Sequence, residues 1–486
     1  MRYERVLLVA PPYYDDDFGA SLPAGLGYLA ESLRSHGLTY RILDLNLAGS
    51  DAEDLFHAIE DFQPDLIGFS LLTFRYLGHY ELIRMVKERY PRIAIVAGGA
   101  HLSNYRVDVL RQCPAIDFGA VLEGEESLAE LCAGKELNKI GGLIFRQGEE
   151  IRFNGERPFV RDLDALAWPR YEGFQLNNYV FDHVGLLTSR GCPYSCGYCD
   201  VFRVIGKKWR MRSSTSICDE LDYWVWRGHT HFVVLDDNMT IRRDRMIELC
   251  DEIERRGLHH HVRIACNNGI RADRVDREVL QRMWRAGFYR LSFGVDGFND
   301  KMMEIMNRAE RLEDVERAIR YACELGFDVV LFFILGYPGE TWEDIKDGAE
   351  LALKYPVLDA VFNNLIPYPN TEVYDYLKKG GFLLRAPEEY LNSQSRFRDF
   401  KPIFSTREMG VEDRKRAYRY MSGVRKKVRR RAIARRLGRF GGINHLAAWV
   451  FSWDLTQHML HHNKKFRETM IRIYQHAVKQ ATYAKT

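Results

Sequence analysis

Three closely spaced cysteines carry the most specific chemical signal in the sequence. Cys192, Cys196 and Cys199 follow a C-x3-C-x2-C spacing, which places three thiols on one short turn. Four-iron clusters usually take four cysteine ligands, so three of them predict a cluster with one iron left open for a small molecule. A zinc knuckle or a redox loop is the structural alternative, but zinc would need a fourth Cys or His nearby, and none follows soon after Cys199.

The elements around these cysteines predict a partial barrel. Apolar strand candidates alternate with helical stretches, which is the pattern of parallel βα units. Six strands are too few to close like an eight-fold barrel, so we expect an open (β/α)6 barrel with its chemistry at the carboxyl ends of the strands. The strand candidates are residues 185–189, 231–235, 261–265, 289–293, 329–335 and 360–366.

A second α/β unit is predicted upstream. Five apolar strand candidates alternate with helices before residue 123, which indicates a doubly wound, flavodoxin-like or Rossmann-like parallel sheet. Ligands of such sheets bind where the strands end, and small, hydroxyl-bearing or acidic residues follow several of these strands. The candidates for ligand contact there are Ser70, Thr73, Gly98, Gly99, His101, Glu123 and Gly124.

The cysteine spacing, with Tyr198 just before the third cysteine, resembles the radical S-adenosylmethionine (SAM) superfamily. In that family the open iron of a [4Fe-4S] cluster chelates SAM, and an electron from the cluster cleaves SAM to a 5′-deoxyadenosyl radical. The upstream unit is similar to the N-terminal domain of cobalamin-binding members, where Gly-Gly-x-His and Gly-Glu turns flank the corrin. The resemblance implies a [4Fe-4S] cluster, SAM and cobalamin as cofactors, with Cys192, Cys196 and Cys199 as catalytic cluster ligands.

The same resemblance implies contacts to SAM at the ends of the barrel strands. Asp236 or Asp237 would hold the SAM ammonium, although either could instead cap the next helix. Arg271 suits a carboxylate, although pairing with Asp273 is a structural alternative. The remaining implied contacts are Ser292 and Asp296 for the ribose and sulfonium side, Arg308 for the carboxylate, and Tyr198, Ile334 and Gly336 for adenine.

Two residues near the expected sites have open roles. The Asp-x-His-x-x-Gly motif of many cobalamin proteins is absent, so His101 is interpreted as a contact to the ligand tail or as a loop-packing residue, and not as a cobalt ligand. Cys266 ends a barrel strand, where a thiol could act on a radical intermediate, but packing is the preferred interpretation. For the upstream unit, a flavodoxin-like module that binds another cofactor, or nothing, is the alternative.

The chain of 486 residues is long enough for two or three domains. We predict a cobalamin-binding domain at 1–139, a linker containing a hairpin at 140–182, a radical SAM barrel at 183–400 and a basic helical region at 401–486. From Arg407 onward there are 20 basic against 5 acidic residues. The basic helix at 425–439 and the aromatic patch Trp449 to Trp453 predict a helical cap, an anionic lipid surface or another anion as partner.

The expected location is the cytoplasm, with peripheral contact to an anionic membrane as an option. The N-terminus runs straight into a strand pattern, no apolar run is long enough to span a membrane, and nine scattered cysteines do not form a disulfide framework. The expected partners are a small-molecule substrate and a reducing protein such as flavodoxin or ferredoxin. Nucleic acid is not expected.

The resemblance implies methylation of an unactivated carbon as the commonest reaction, using methylcobalamin and the deoxyadenosyl radical. A cyclase or a skeleton-rearranging enzyme with the same cofactors is the first alternative. An RNA-modifying enzyme similar to methylthiotransferases is an alternative of another class. That family brings its own cluster cysteines in its N-terminal domain, whereas only Cys113 and Cys132 precede the C-x3-C-x2-C spacing here.

Overall fold

The computed structural model describes residues 2–12, 22–47, 50–179, 183–393 and 401–437. Strands and helices alternate along these residues and form two large sheets joined by an irregular connector. The strands are β1 (Arg5–Ala10), β2 (Thr39–Asp44), β3 (Leu66–Ser70), β4 (Ala94–Gly98), β5 (Phe118–Ala120), β6 (Leu143–Gln147), β7 (Glu150–Phe153), β8 (Val184–Leu186), β9 (Ser189–Arg190), β10 (Arg210–Met211), β11 (His231–Val234), β12 (Arg263–Ile270), β13 (Phe288–Asp296), β14 (Asp328–Leu335) and β15 (Asp359–Asn364).

Helices cover both sheets. The α-helices are α1 (Ala24–Ser35), α2 (Ala52–Phe62), α3 (Tyr76–Arg89), α4 (Ala100–Tyr105), α5 (Val107–Gln112), α6 (Glu125–Cys132), α7 (Val201–Ile205), α8 (Ser214–Trp226), α9 (Arg243–Arg255), α10 (Arg277–Arg285), α11 (Asp300–Ile305), α12 (Leu312–Leu325), α13 (Trp342–Lys354), α14 (Glu372–Lys379), α15 (Pro387–Tyr390) and α16 (Val411–Leu437).

The first sheet confirms the predicted doubly wound fold. Its strand order is β2-β1-β3-β4-β5-β6-β7, and β1 to β5 are parallel. The strand order reverses at β1, which lies between β2 and β3, so the sheet has the topological switch point at which such folds bind ligands. The ends of β3 and β4 lie in register, with Ser70 opposite Gly98.

The hairpin of β6 and β7 belongs to this sheet. The sequence predicts these residues as part of the linker, but β6 pairs antiparallel with β5, and Phe118 lies opposite Phe145. Strand β5 has only three residues and would otherwise leave an unpaired edge, which sheets tend to cover. Both faces of β6 are buried because Ile144 packs in one apolar cluster of the domain and Phe145 in another.

The second sheet confirms the open six-stranded barrel. Its strands are all parallel, in the order β15-β14-β13-β12-β11-β8. Along β14, burial alternates strictly: Leu331 and Phe333 are packed in the main apolar core, whereas Phe332 and Ile334 are half-buried on the opposite face. The half-buried face is turned away from this core, so it is the face directed to the interior of the open barrel.

Helix α16 covers one side of the barrel and supports the cap interpretation of the basic region. Arg425 and Arg429 both pair with Asp359 at the start of β15, with shortest distances of 2.8 and 2.9 Å. Arg435 donates to the carbonyls of Pro356 and Val357 at 2.7 and 2.6 Å. These guanidinium groups are therefore bound by the barrel. Residues 449–453, the aromatic patch, lie outside the described residues.

Candidate active site

The carboxyl ends of the two sheets face each other. Asn104 of α4, just past β4, donates to the carboxylate of Asp200, the residue after Cys199, at 2.8 Å. Asn370, past the end of β15, donates to the Asn104 carbonyl at 3.4 Å. Arg190, at the end of β9, donates to Glu123 past the end of β5 at 3.0 Å. The ligand-binding edge of the first domain therefore lies against the ligand-binding end of the barrel.

The cysteine loop, residues 191–200, is fixed by backbone hydrogen bonds within the loop and to two other parts of the chain. The Cys192 amide donates to the Gly206 carbonyl at 3.0 Å, and the Cys199 amide donates to the Cys196 carbonyl at 3.0 Å. The Gly197 amide reaches the Met306 carbonyl at 3.1 Å. Gly191 has φ +103°, and a Cβ there would lie 2.3 Å from the Lys208 carbonyl oxygen, so only glycine fits before Cys192.

The donor set of this loop fits an iron–sulfur cluster with an open position. Cys196 is buried, while Cys192 and Cys199 are half-buried, so the loop is partly accessible to solvent. Arg308 Nη1 lies 4.0 Å from Cys196 Sγ, so one cation stands beside the loop. In the described chain, the three thiols are not already gathered as a metal-binding group, so cluster ligation by these residues stays a prediction.

Tyr198, Asp296 and Arg308 form one polar network beside the loop. The Tyr198 hydroxyl donates to Asp296 Oδ2 at 2.7 Å, and Arg308 Nη1 lies 3.0 Å from the same oxygen. Arg308 also donates to the Gly294 carbonyl and to the buried Glu310 carboxylate. Asp296 has φ +58°, a strained conformation for a residue with a side chain. The three predicted SAM contacts are thus brought together at the end of β13.

Asp236 and Asp237, the two residues predicted to bind the SAM ammonium, have different surroundings. The buried Asp236 carboxylate accepts from the Thr188 amide, the Thr188 hydroxyl and the Ser189 hydroxyl at 2.6, 2.5 and 2.5 Å. It therefore holds the strand that leads into the cysteine loop. Asp237 is exposed. Of the two acids, Asp237 is therefore the one whose carboxylate is available to the SAM ammonium.

Arg271 is engaged within the fold. Its guanidinium donates to Asp273 Oδ1 at 2.9 Å and to the Arg308 and Ala309 carbonyls at 2.7 and 2.8 Å. It also stacks 3.8 Å from the centre of the Tyr194 ring in the cysteine loop. These contacts favour the structural interpretation, in which Arg271 orients the segment around Arg308 and the cysteine loop.

The other predicted SAM contacts lie at different depths. Ser292 is buried four residues before Asp296, about 13 Å further down the strand at the usual rise per residue. Ile334 is half-buried on the interior face of β14. Gly336 has φ +92°, and a Cβ there would lie 2.4 Å from an Arg414 nitrogen. The backbone at Gly336 is therefore packed by a residue of α16 that the motif did not reveal.

Arg414 and Glu340 complete this turn. Glu340 Oε1 accepts from the Gly336 amide at 2.9 Å, and Arg414 Nη1 donates to the Gly336 carbonyl at 3.0 Å. Burial raises the pKa of Glu340 to about 8 and lowers the pKa of Arg414 to about 10. Both groups shift toward their neutral forms, so desolvation outweighs their mutual attraction.

In the first domain, the predicted cobalamin contacts fall into two groups. A Cβ on Gly98 would meet only the Ala120 carbonyl oxygen, at 3.7 Å, and Ser70 beside it is half-buried, so this part of the edge is open. Gly99 has φ +91°, and a Cβ there would lie 2.7 Å from the Leu71 carbonyl oxygen. Gly98 thus permits close approach of a ligand, whereas Gly99 is required by the turn itself.

His101 and Thr73 belong to the interior. His101 is buried, its Nε2 lies 2.7 Å from the Tyr80 hydroxyl, and its ring stacks on Tyr76 at 4.7 Å. Its Nδ1 lies 3.4 Å from the Thr73 hydroxyl, and burial lowers its pKa to about 3. His101 is accordingly a neutral packing residue in an aromatic nest, one of its two interpreted roles. Thr73 contacts the other ring nitrogen of His101.

Glu123 has partners that its position in the sequence did not suggest. Its carboxylate accepts from Arg190 and Arg210 at 3.0 and 2.7 Å and from the Val160 amide at 2.8 Å. Glu125 accepts from Arg190 at 2.8 Å. We call Glu123, Glu125, Arg190 and Arg210 the interdomain network. A Cβ on Gly124, between the two acids, would make only ordinary van der Waals contact, with its nearest atom 3.6 Å away.

The cysteines outside the loop lie in separate places, and all of them except the half-buried Cys323 are buried. Cys266 is buried and its thiol lies 3.8 Å from Met239 Sδ, which supports packing. Cys113 and Cys132 belong to different apolar clusters on opposite sides of the first sheet. All nine cysteines are free.

Comparison with known proteins defines the class. Residues 19–132 match the model of the B12 binding domain, and residues 186–352 match the model of the radical SAM superfamily. The chain is therefore a radical SAM enzyme with a cobalamin-binding domain, and its cofactors are a [4Fe-4S] cluster, SAM and cobalamin.

Similar proteins include members named for two reactions. An uncharacterized methyltransferase of Pyrococcus horikoshii is 27% identical over 79% of this chain and 85% of its own length. An anaerobic magnesium-protoporphyrin IX monomethyl ester cyclase of Cereibacter sphaeroides is 26% identical over 77% of this chain and 64% of its own. The radical SAM methyltransferase TsrM from Kitasatospora setae, solved with cobalamin and a [4Fe-4S] cluster, shares the fold, with 21% identity, 80% of both chains covered and a TM-score of 0.69.

Proposed function

We propose that this enzyme methylates an unactivated carbon of a small molecule. The observation that carries the proposal is the direct apposition of the two ligand-binding edges through the Asn104–Asp200 and Arg190–Glu123 contacts. When bound, SAM and the cluster supply a hydrogen-abstracting radical, and cobalamin supplies a methyl group. A reaction that needs both within reach of one carbon requires this arrangement, and a methyltransferase is among the similar proteins.

The chain's own residues would hold and orient these groups. Cys192, Cys196 and Cys199 are proposed as the cluster ligands, with Asp237 offered to the SAM ammonium. The network of Tyr198 and Asp296 would face the nucleoside side of SAM. The open edge at Gly98 and Ser70 would admit the corrin, and the pairing of Asn104 with Asp200 helps to close the space between the domains against water.

A cyclase with the same cofactors is the second candidate, because one similar protein carries that name. The two reactions differ in what happens to the methyl group of SAM. A methyltransferase moves it to cobalamin and on to the substrate, with release of S-adenosylhomocysteine. The cyclase alternative moves no methyl group.

Methyl-deuterated SAM separates the candidates without the substrate. The full chain, reconstituted anaerobically with iron, sulfide and cobalamin, is incubated with the labelled SAM and a low-potential reductant. We expect the label on cobalamin, together with S-adenosylhomocysteine and 5′-deoxyadenosine. Formation of 5′-deoxyadenosine alone would favour the cyclase.

The cysteine assignment has its own test. Cys196→Ala should abolish 5′-deoxyadenosine formation, because two thiolates cannot hold the cluster. Cys323→Ala, in α12 away from the loop, is the matched control and should retain it. Equal activity of both variants would contradict cluster ligation by Cys196.

The partners and location remain part of the proposal. A one-electron donor protein such as flavodoxin or ferredoxin would reduce the cluster, and the cytoplasm would supply the reducing conditions that nine free cysteines suit. Among the described residues no helix is long and apolar enough to cross a membrane. Contact with an anionic membrane stays a prediction, and the pairing of Arg425 and Arg429 with Asp359 speaks for a structural role of that helix.

A further inference from the structure

The turn that follows β5 is strained and held from several sides. Leu122 has φ +66°, which is unfavourable for a residue with a branched side chain. Its amide donates to the Ser103 hydroxyl at 2.9 Å, and that hydroxyl in turn donates to the Gly99 carbonyl at 2.9 Å. Such a conformation persists only where its surroundings over-determine it. The strained turn lies at the proposed cobalamin edge, next to Gly98 and Gly99.

The interdomain network ties this turn to the barrel. Arg190 donates through its two terminal nitrogens to Glu123 and Glu125, at 3.0 and 2.8 Å, and its guanidinium lies over the Tyr28 ring at 4.7 Å. Arg210 adds a second cation to Glu123. The Arg190 side chain is 10% exposed, and those of Glu123 and Glu125 are 12% and 8% exposed. Solvent screens so buried a network weakly, and the fork of one arginine spans both acids.

The same arginine is joined to the cysteine loop through rigid backbone. The backbones of Arg190 and Arg210 lie opposite each other in the two-stranded antiparallel sheet of β9 and β10. Only Gly191 separates it from Cys192, and a Cβ at Gly191 would lie 2.3 Å from the Lys208 carbonyl oxygen. The turn at Glu123 is therefore linked to the first cysteine through the Arg190 side chain and one closely packed glycine.

We propose that Arg190 is a positioning residue that couples cobalamin binding to the cluster site. The inference rests on the proposed function for the identity of the two ligands. Binding of one ligand fixes its end of the Glu123–Arg190 connection and so reduces the cost of ordering the other end. Coupling between two binding sites is reciprocal, so it can be measured from either ligand.

The experiment measures cobalamin affinity of the full chain with and without the cluster. Hydroxocobalamin is titrated anaerobically into the apo protein and into protein reconstituted with iron and sulfide, and binding is followed by the cobalamin absorbance. We expect the cluster to tighten cobalamin binding about tenfold, within the usual range of coupling between sites. In Arg190→Gln this ratio should fall toward one.

Matched variants separate coupling from loss of a salt bridge in general. Arg157→Gln removes an arginine that pairs with Glu130 within the first domain and should keep the tenfold ratio. Arg190→Lys keeps the charge but reaches only one acid and should restore part of the ratio. If Arg190→Gln does not fold, Glu125→Gln weakens the same connection more mildly and should lower the ratio.

The outcomes are distinct from those of the proposed function. An equal ratio in wild type and Arg190→Gln, or a wild-type ratio of one, would overturn the coupling while leaving the proposed reaction intact. A full chain that binds no cobalamin in either state would overturn the proposed function itself.

Discussion

The buried carboxylate of Glu340 should make the stability of the barrel pH-dependent. Its folded-state pKa of about 8 lies above the ordinary 4.5, because burial disfavours the charged form. The folded protein therefore binds more protons than the unfolded chain between these values, so stability is lost as the pH rises from about 4.5 to about 8. At about 1.4 kcal/mol per pKa unit, the full loss is on the order of 5 kcal/mol.

Glu340→Gln isolates this effect. Glutamine keeps an oxygen to accept from the Gly336 amide but cannot ionise, so it imitates the protonated carboxyl at every pH. Near pH 5 the variant should match wild type, and near pH 9 it should be more stable. With about 2 to 4 °C per kcal/mol for a domain of this size, the gap in thermal midpoint should be about 10 to 20 °C. Circular dichroism melting of the apo protein measures it.

A second buried acid, Glu220, also makes stability pH-dependent, so the effect of Glu340 has to be read from the difference between wild type and Glu340→Gln. The pKa of Glu220, which pairs with Arg212, is raised by burial to about 7 and contributes its own pH dependence. It contributes equally to wild type and variant, so only the difference between their midpoints reports on Glu340. Glu343→Gln, at an exposed site three residues away, is the control and should follow wild type. Parallel behaviour of wild type and Glu340→Gln from pH 5 to pH 9 would refute the reasoning.

Three further predictions concern packing. Arg425→Glu combined with Arg429→Glu should lower the thermal midpoint, because Asp359 loses both partners at a cost of about 3 to 5 kcal/mol, and adding Asp359→Arg should restore part of it. No change would mean that α16 is held otherwise. Gly99→Ala should raise urea sensitivity, since φ +91° and the Leu71 carbonyl exclude a Cβ, whereas Gly78→Ala in α3 has open space and should be neutral or stabilising. Equal effects would contradict the strain argument. Tyr80→Phe should cost about 1 to 3 kcal/mol by leaving buried His101 without its partner, measured by the urea midpoint; an unchanged midpoint would mean that the bond contributes nothing.

Local signals in the sequence were sufficient for the two sheets and the cysteine loop. Apolar runs of four to eight residues, separated by helical stretches, predicted every strand of the six-stranded barrel and β1 to β5 of the first sheet. The hairpin of β6 and β7 was recognised as a hairpin, but its place in the first sheet depends on the short edge strand β5, which no local pattern reveals.

The partners of the site residues could not be predicted in the same way. Glu123 follows a strand at a ligand-binding edge, and the sequence therefore indicated a ligand contact. Its partner Arg190 lies 67 residues away, and Arg414 lies 78 residues beyond Gly336. Pairings at such separations are set by how the domains and the last helix dock, which leaves no periodic trace in the chain. Asp236 and Asp237 are adjacent in sequence, yet only the structure distinguishes the inward-facing acid from the exposed one.

Helix α16 also protects the enzyme from association with itself. Among the strands of the described residues, β15 is the last of an open sheet, so one row of its backbone amides and carbonyls has no neighbouring strand there. Such edges are templates for pairing with another molecule and for aggregation. Arg425 and Arg429 of α16 form ion pairs with Asp359 at the start of β15. The apolar residues Met421 and Val428 of the same helix pack into the barrel core. A chain shortened before Val411 would uncover this edge, and its first symptom would be concentration-dependent precipitation at a stage when the cofactor-binding loops are still intact.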